Sequence, residues 1–382
     1  MIPRAAQPTL QQLAVGYPVV VVTGPRQSGK TTLVRAAFTD KRYVSLENPD
    51  ERAFALDDPK GFLARFPNGA ILDEVQHCPQ LFSYLQTRVD LDGRMGLFVL
   101  TGSQHFGLVS QITQSLAGRA GILQLLPFSL TELVSAGRAL GTLEQLLLQG
   151  LYPPLYDRNL VPANWFANYL LTYLERDVRQ LTNVHNLNLF QRFVKLCAAR
   201  TAQLLNLSNL ATECGISQGA ARSWLSVLEA SYVVFLLPPH HRNFGKRVVK
   251  TPKLYFHDTG LAASLLGIQD IEHIAIHPSR AALFETLVIN EFLKRRFNVG
   301  LTSNLYFWRD NAGTEVDLIL EEGAGLRPVE IKSGQTVQND FFTGLRKWLN
   351  YAQEQALEPT LVYGGDDNYT RSGVAVKSWK AL

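Results

Sequence analysis

Residues Val19–Leu33 read VVVVTGPRQSGKTTL, and this stretch decides how the first third of the chain folds. Four consecutive valines predict a strand that is buried on both faces, as in a parallel sheet. The segment Gly24–Thr31 then matches the pattern G-x-x-x-x-G-K-[ST], and a helix-forming run follows it. A strand, a glycine-bounded loop and a helix in this order form the phosphate-binding P-loop, which makes a chance match a weak alternative. We therefore predict a nucleotide site here.

Each residue type in this loop suits a phosphate. Glycines at both ends let the backbone turn tightly, so that its amide groups point inward, and the helix adds the positive end of its dipole. Lys30 is expected to reach the β- and γ-phosphates, and Thr31 to place its hydroxyl on Mg²⁺. The residues predicted to hold the nucleotide in this loop are Gly24, Pro25, Arg26, Gln27, Ser28, Gly29, Lys30, Thr31 and Thr32.

A second apolar strand, Gly69–Glu74, ends in two carboxylates and has the Walker B arrangement. Asp73 is expected to hold Mg²⁺ through water, and Glu74 to orient or activate the attacking water. Adjacent strand residues point to opposite faces, so the two carboxylates cannot share one role. The alternative is a pair that merely ends a strand at solvent, and the intact P-loop argues against it.

Two further polar positions are candidates for the same reaction. The buried strand Leu97–Leu100 is expected between the P-loop and Walker B strands, which makes Ser103 or Gln104 a candidate sensor of the phosphate state. A plain polar turn is an equally weighted alternative. Arg119, in a small-residue turn, is a candidate to stabilise transition-state charge at a neighbouring site, or else a surface arginine.

Composition predicts a globular protein of two or three domains. The chain has 382 residues and a net charge of +4, and no apolar run reaches the ~18 residues of a membrane span. Its three cysteines, Cys78, Cys197 and Cys214, form no C-x-x-C pair, so we expect small buried residues in a reduced compartment. Without a signal-peptide pattern at the first residues, we expect a cytoplasmic protein.

The middle third concentrates the positive charge, because residues 151–280 carry 13 basic and 8 acidic side chains, a difference of +5. Ser208 and Ser217 are predicted to begin two helices that meet at Gly215, and strands are predicted over Tyr232–Leu237 and Lys253–Phe256. Two helices, a turn and a two-stranded wing form a winged helix.

The loop between those two strands carries five basic residues and no acid: Arg242, Lys246, Arg247, Lys250 and Lys253. Such a wing suits a DNA phosphate backbone. Sequence-specific reading of bases is not expected, because Arg222 is the only charge near the start of the second helix. The alternative is a winged helix that only packs against the rest of the protein.

The last third contains carboxylates and a lysine that can converge. A helix over Ala281–Arg296 carries Glu285, one strand carries Asp317, and the next strand places Glu330 and Lys332 on one face. Glu291 is rotated by about 240° from Glu285 on the helix, so the two cannot face one site. Carboxylate oxygens suit Mg²⁺ or Mn²⁺, although carboxylates at hairpins are often plain surface pairs.

The segments GPRQSGKTTL, ILDEVQ, LTGSQ, LAGR and LPFSLTEL resemble, in this order, the AAA-type ATP-binding proteins of bacteria and archaea. The resemblance continues through Gly150–Pro153 and Tyr173–Val178 and covers nearly the whole chain. It implies ATP and Mg²⁺ as cofactors, with Lys30, Glu74 and Arg119 in hydrolysis. The resemblance leaves open whether the protein forms a homo-oligomer.

The order of the last third also resembles the PD-(D/E)XK nuclease constellation. The resemblance implies that Asp317 and Glu330 are metal ligands, that Glu285 supports the metal, and that Lys332 is the catalytic lysine. Val316 stands where the motif's name has proline. Whether such a scaffold still cleaves is left open, because folds keep their shape after losing activity.

We therefore predict three α/β or helical parts. They are a P-loop ATPase with a parallel sheet (1–150), a helical and winged-helix region (151–275), and a restriction-endonuclease-like α/β domain (276–382). The leading hypothesis is an ATP-hydrolysing, DNA-directed protein. The alternative is an ATP-dependent signalling or assembly switch, and a nucleotide kinase is disfavoured by the Asp73-Glu74 pair.

Overall fold

The computed structural model describes residues 2–103, 115–158, 160–174, 186–240 and 249–382. The fold is α/β, with a five-stranded parallel sheet, a helical region and a separate six-stranded mixed sheet, which confirms the predicted fold class. The chain forms two compact units. Unit 1 contains Met1–Phe128, Glu229–Tyr232 and Lys294–Thr302, and unit 2 contains Ser129–Leu228, Val233–Leu293 and Ser303–Leu382. The predicted middle and last parts thus fall mostly within one unit.

Unit 1 is built on strands whose order in the sheet is β2-β3-β4-β1-β5, all of them parallel. The strands are β1 Val19–Thr23, β2 Arg42–Ser45, β3 Ala70–Asp73, β4 Phe98–Gly102 and β5 Ala120–Gln124. The helices are α1 Gln7–Gly16, α2 Lys30–Ala37, α3 Pro49–Asp57, α4 Pro59–Ala64 and α5 Leu81–Asp92, with a 3₁₀ turn at Val75–His77.

The four valines of β1 are buried on both faces of the sheet, as predicted. Val19 and Val21 lie in one hydrophobic core, whereas Val20 and Val22 lie in the other. Successive strand residues point to opposite faces, so a strand between two cores must be apolar at every position. The prediction that β4 lies between the P-loop strand and the Walker B strand is also confirmed.

The middle of the chain is mostly helical. Its helices are α6 Leu130–Ser135, α7 Leu143–Gln149, α8 Pro153–Asp157, α9 Pro162–Tyr169, α10 Leu187–Ala198, α11 Leu207–Cys214, α12 Gln218–Ala230, α13 Thr259–Leu265 and α14 Ile271–Ile276, with a π-helical turn at Leu170–Leu174. A small antiparallel sheet has the order β6-β8-β7 and contains β6 Gln203–Leu204, β7 Val234–Leu237 and β8 Lys253–Phe256.

Two boundaries in this region differ from the sequence predictions. Helix α11 is capped by Asn206, whose side chain accepts from the amide of Asn209, and not by Ser208. Strand β7 begins at Val234 and not at Tyr232, because Tyr232 has a left-handed backbone with φ of 55°. Ser217, in contrast, does accept from the amide of Ala220 at 3.1 Å, as expected for a cap.

The last part contains a mixed sheet with the order β13-β14-β12-β11-β10-β9. Its strands are β9 Leu305–Arg309, β10 Glu315–Glu322, β11 Gly325–Lys332, β12 Thr360–Tyr363, β13 Tyr369–Arg371 and β14 Val374–Ser378. The helices are α15 Arg280–Asn298 and α16 Thr343–Ala352, with 3₁₀ turns at Asn339–Phe342, Gln353–Gln355 and Trp379–Ala381. A 3₁₀ turn lies directly before helix α16 and another directly after it.

Trp348 and Trp379 are buried in the core. All three cysteines are buried and free, as predicted. Among the described helices, none combines the length and apolar character that crossing a membrane requires.

Candidate functional site

The P-loop leaves β1 at the carboxyl edge of the parallel sheet and enters α2 at Lys30. Gly24 has φ of 153°, and a Cβ there would lie 2.1 Å from the carbonyl oxygen of Leu125. Gly29 caps α2 with φ of 92°. Both positions therefore require glycine, because any side chain would clash or adopt a strained backbone.

The other predicted loop residues surround the same turn. Ser28 is fully buried, Arg26 is buried with a guanidinium 3.6 Å from Glu47, and Gln27 has a left-handed φ of 61°. The Pro25 carbonyl accepts from the amide of Ser28 at 3.3 Å. Thr32 is exposed. The loop thus has a tight backbone, and some of its polar groups form hydrogen bonds within the loop.

Lys30 is turned into its own loop. Its Nζ donates to the carbonyl oxygens of Gly24 at 2.9 Å and Pro25 at 2.8 Å, and the side chain is buried. The two carbonyls thus hold the ammonium inside the loop, at the position where a P-loop lysine would meet a phosphate.

Thr31 and Asp73, the two residues predicted to hold Mg²⁺, are in contact. Thr31 Oγ1 lies 3.0 and 3.2 Å from the two Asp73 carboxylate oxygens. Asp73 also accepts from Tyr43 at 2.6 Å and from Thr101. A hydroxyl and a carboxylate at the carboxyl edge are hard oxygen donors, so this pair fits a hydrated Mg²⁺. The sequence analysis did not predict Tyr43 and Thr101 as site residues, because both lie far along the chain from Asp73.

Glu74 follows β3 and has a left-handed backbone with φ of 54°. Its carboxylate accepts from Gln76 and from Ser103, whose Oγ lies 3.3 Å away. Burial favours the neutral acid, but Lys30, Gln76 and Arg26 outweigh it and lower the pKa of Glu74. The side chain is therefore an anion at neutral pH and is hydrogen-bonded to Ser103, the proposed sensor at the end of β4. Gln104, the other proposed sensor, lies outside the described residues.

Arg119 lies at the opposite edge of the same sheet. It directly precedes β5, and its carbonyl accepts from the amide of Val19 at the start of β1. Its guanidinium is paired with Asp90 at 2.5 and 2.9 Å. Arg119 is therefore about a full strand length from the P-loop of its own chain.

Sequence reasoning also missed Arg4, which supports the P-loop from behind. Its guanidinium donates to the carbonyl oxygens of Ser28 at 2.6 Å and Leu126 at 2.7 Å. It also lies over the ring of Phe128, 5.0 Å from the centroid. The Ser28 carbonyl is buried in the P-loop and needs a hydrogen-bond donor, which Arg4 supplies.

A second polar site lies in unit 2, around the β10–β11 hairpin. Lys332 donates to Glu330 Oε1 at 2.5 Å and to Asp317 Oδ2 at 3.4 Å. Asp317 also accepts from the amide of Ile331 at 2.8 Å. The pairing of β10 with β9 shifts register between Val316 and Ile319, so Asp317 lies where the strand pairing is irregular.

Glu285 of α15 has different partners in the same cluster. Its Oε1 accepts from Lys253 Nζ at 3.0 Å and from the Tyr255 hydroxyl at 2.5 Å. Lys253 is also paired with Glu315. Glu291 instead accepts from the amide of Leu130 at 2.8 Å, so the prediction that it faces away from Glu285 is confirmed. Glu285 is therefore paired with a lysine of β8.

Two carboxyl groups of this cluster, those of Glu330 and Glu285, have a raised pKa. Burial raises the pKa of Glu330 to about 8, with Asp317 adding to the shift and Lys332 opposing it. Burial likewise raises the pKa of Glu285 to about 7, and Lys253 opposes that shift. Burial would lower the pKa of Lys332, but Asp317 and Glu330 outweigh it and raise that pKa.

The predicted metal ligands Glu285, Asp317 and Glu330 do not form a ready ligand set. Within the ranges that the structure describes, no group of three or more His, Cys, Asp or Glu side chains is arranged to hold a metal ion. The physical reason is that two ammonium groups, those of Lys253 and Lys332, already occupy the carboxylates. As it stands, the cluster does not fit a divalent ion.

The basic wing is only partly observable. Arg242, Lys246 and Arg247 lie outside the described residues, and Lys250 is exposed. The prediction that Lys253 belongs to the wing is wrong. Lys253 lies in β8, is 3% exposed, and is paired with the carboxylates of Glu285 and Glu315. Lys253 is the first residue of β8, and all four residues of this strand are buried.

Comparisons with known proteins bear on both sites. A model of the AAA domain family matches residues 16–134, which include the P-loop and the Walker B strand. Uncharacterized proteins of Mycobacterium bovis and Mycobacterium tuberculosis are each 32% identical over 378 residues, covering 98% of this chain and 82% of theirs. This chain belongs to their family. It is an AAA-type P-loop protein.

The later parts of this AAA-type protein match domains of unknown function, DUF8612 over residues 140–272 and DUF4143 over residues 280–382. Among solved structures, the Walker-type ATPase of Pyrococcus abyssi is similar, with a TM-score of 0.45, 14% identity, and coverage of 69% of this chain and 96% of that one. The AMPPCP-bound DnaA from Aquifex aeolicus has a TM-score of 0.29, 14% identity, and coverage of 59% and 85%.

Proposed function

We propose that this AAA-type protein binds ATP and hydrolyses it at the carboxyl edge of the parallel sheet. The observation that carries the proposal is the contact of Thr31 with Asp73, with Glu74 next to it and Lys30 inside the loop. The P-loop and Walker B residues thus meet at one edge, where β1, β3 and β4 all end. A nucleoside triphosphate and Mg²⁺ are the ligands that these donors suit.

The residues divide the work by chemistry. Lys30 would exchange its two carbonyl partners for the phosphates, and Thr31 and Asp73 would hold Mg²⁺, which would supply positive charge to the phosphate groups. Glu74, as an anion, orients a water toward the γ-phosphorus and accepts its proton. Ser103 already donates to Glu74, so the same hydroxyl can report whether a phosphate is present.

The test is ATP turnover by the full chain and by matched variants. Lys30→Ala removes the charge inside the loop and should abolish hydrolysis, whereas Glu74→Gln should still bind ATP but turn it over at least about 100-fold more slowly. The exposed Lys60→Ala is the control and should behave as wild type. Unchanged turnover in Lys30→Ala would rule out the proposed site.

We further propose that the nucleotide state controls DNA binding by a winged helix. The supporting observation is the order α10, β6, α11, α12, β7, β8, with the three strands arranged as β6-β8-β7. Two helices joined at the left-handed Gly215 and followed by an antiparallel pair have the order of a winged helix. The segment that connects β7 and β8 carries the remaining wing residues, Arg242, Lys246, Arg247 and Lys250.

DNA binding is tested by its dependence on salt, with and without ATP. Each phosphate contact contributes about 0.9 to the slope of log K against log salt for duplex DNA. Replacing Arg242, Lys246 and Arg247 by alanine should therefore reduce that slope by about 2 to 3. An equal slope in the triple variant, or no binding at low salt, contradicts a DNA-directed wing.

The nuclease-like assignment of residues 276–382 is also a proposal. It is supported by helix α15, the β9–β12 strands and the contacts among Asp317, Glu330 and Lys332. Labelled single-stranded, duplex and branched DNA should be incubated with Mg²⁺ or Mn²⁺, with and without ATP. Cutting that disappears in Lys332→Ala assigns a nuclease, and absence of cutting in every condition leaves an ATPase that drives a binding module.

The second candidate function is an ATP-dependent assembly switch whose later regions only bind partners. The burial of Lys253 favours it, because it removes one of five basic residues from the expected DNA surface. Light scattering of the chain with ATP, with ADP and without nucleotide distinguishes the two functions. A change of mass with nucleotide, together with no DNA binding, indicates the switch.

A further inference from the structure

The carboxylate cluster of unit 2 contains a cation that comes from outside residues 276–382. Lys253 begins β8, in the small antiparallel sheet, and reaches Glu285 of α15 at 3.0 Å and Glu315 of β10. Tyr255, two residues along the same strand, donates to Glu285 at 2.5 Å. Two side chains from one face of β8 thus complete a cluster whose carboxylates all lie later in the chain.

Lys253 is held as a permanent charge. Its side chain is 4% exposed, and a buried ammonium is stable only when it is paired and hydrogen-bonded. Burial alone would lower the pKa of Lys253, but Glu285, Asp317 and Glu315 outweigh it and raise that pKa. The Lys253 ammonium is therefore held by the carboxyl groups of both Glu285 and Glu315.

We propose that Lys253 is the built-in cation of this cluster and excludes divalent metal ions from it. Its ammonium lies between Glu285 and Glu315, where a metal ion would need the same oxygens. Lys332 similarly occupies Glu330 and Asp317, and Glu330 Oε2 is the one buried carboxylate oxygen of the four side chains that has no hydrogen-bond partner among the described residues. Each of the four carboxylates is thus already in contact with an ammonium group, Glu285 and Glu315 with Lys253, and Glu330 and Asp317 with Lys332.

The proposal applies to the same site as the proposed nuclease-like assignment, and it predicts no metal-dependent DNA cleavage there while Lys253 is present. It also makes the site dependent on β8, so that residues 276–382 are incomplete without the preceding region. Its test measures metal binding to the nucleotide-free full chain. The Mn²⁺ measurements can therefore be interpreted even if the protein neither hydrolyses ATP nor binds DNA.

Mn²⁺ is the probe, because it takes oxygen ligands and has a paramagnetic signal that disappears on binding. Free Mn²⁺ is measured by electron paramagnetic resonance, and calorimetry gives the stoichiometry. The chains compared are wild type, Asp317→Asn, Lys253→Met, the Lys253→Met/Asp317→Asn double variant, and Lys377→Met. Lys377 is an exposed lysine on β14 of the same mixed sheet and serves as the matched control.

Wild type, Asp317→Asn and Lys377→Met should bind Mn²⁺ identically, since the cluster takes no ion while Lys253 is present. Lys253→Met should gain one Mn²⁺ per chain, with a Kd at least about tenfold below any in wild type, and the double variant should lose that gain. Methionine keeps the length of the stem without the charge, so the gain reports the removal of the ammonium.

Two results overturn the proposal. One is Mn²⁺ binding in wild type that Asp317→Asn removes, because the cluster would then accept an ion beside Lys253. The other is a folded Lys253→Met chain that gains no Mn²⁺. Thermal unfolding covers the case in which the variant is unstable: Mn²⁺ should raise the Tm of Lys253→Met and leave that of wild type unchanged. The comparison of wild type with Asp317→Asn decides the question even without the variant.

Discussion

Replacement of Arg4 by methionine should weaken both the fold of unit 1 and its affinity for ATP. The guanidinium donates to the carbonyls of Ser28 and Leu126 at 2.6 and 2.7 Å, and it is 9% exposed. Hydrogen bonds from a charged donor contribute about 1.5–3 kcal/mol each, and the contact with the Phe128 ring adds about 0.5–1 kcal/mol. Methionine keeps the apolar stem but leaves both carbonyls without this donor.

The expected loss in the free energy of unfolding is about 3.5–7 kcal/mol, measured by urea unfolding of the full chain. The loop around Ser28 should also lose its shape, so the Kd for ATP, measured under folded conditions, should rise about tenfold, which corresponds to about 1.4 kcal/mol. Arg4→Lys should fall between the two, because a lysine keeps the charge but cannot donate to two carbonyls in a fork.

Arg138→Met, at an exposed arginine, is the control and should change neither quantity. An Arg4→Met chain with wild-type stability and wild-type ATP affinity would refute the reasoning. Loss of stability with unchanged ATP affinity would limit Arg4 to a structural role.

Three further predictions follow from single contacts. Gly24→Ala should destabilise unit 1 and abolish ATP binding, because its Cβ would lie 2.1 Å from the carbonyl oxygen of Leu125 at a φ of 153°; a titration with labelled ATP checks this, and wild-type affinity contradicts it. Thr101→Val keeps the shape but removes the hydroxyl that donates to Asp73 and accepts from the Glu74 amide at 3.3 Å, so kcat should fall about tenfold in a steady-state assay, with little change in urea midpoint. Glu330 has a pKa of about 8 in the fold, against about 4.3 when unfolded, so the folded state retains a proton that the unfolded state has lost between those values. The free energy of unfolding should therefore fall as the pH rises from about 5 to 8, and Glu330→Gln should flatten that slope; equal slopes in the two chains contradict the shift.

The sequence by itself determined the features that depend on neighbouring residues. The P-loop depends on residues within one strand, one turn and one helix, so the glycine positions and the burial of four valines are readable from a fifteen-residue stretch. The common face of Glu330 and Lys332 is likewise a property of strand geometry alone. The separation of Glu285 from Glu291 follows from helical periodicity in the same way.

Only the tertiary structure decided which residues from distant parts of the chain contact these local features. Tyr43 and Thr101 reach Asp73 because β2 and β4 lie near β3 in the sheet, and no local pattern encodes that order. Lys253 shows the limit most clearly, since in sequence it ends a basic run that is typical of a solvated wing. Its burial between Glu285 and Glu315 depends on contacts 32 and 62 residues away, and such contacts are set by packing and not by the residues beside it.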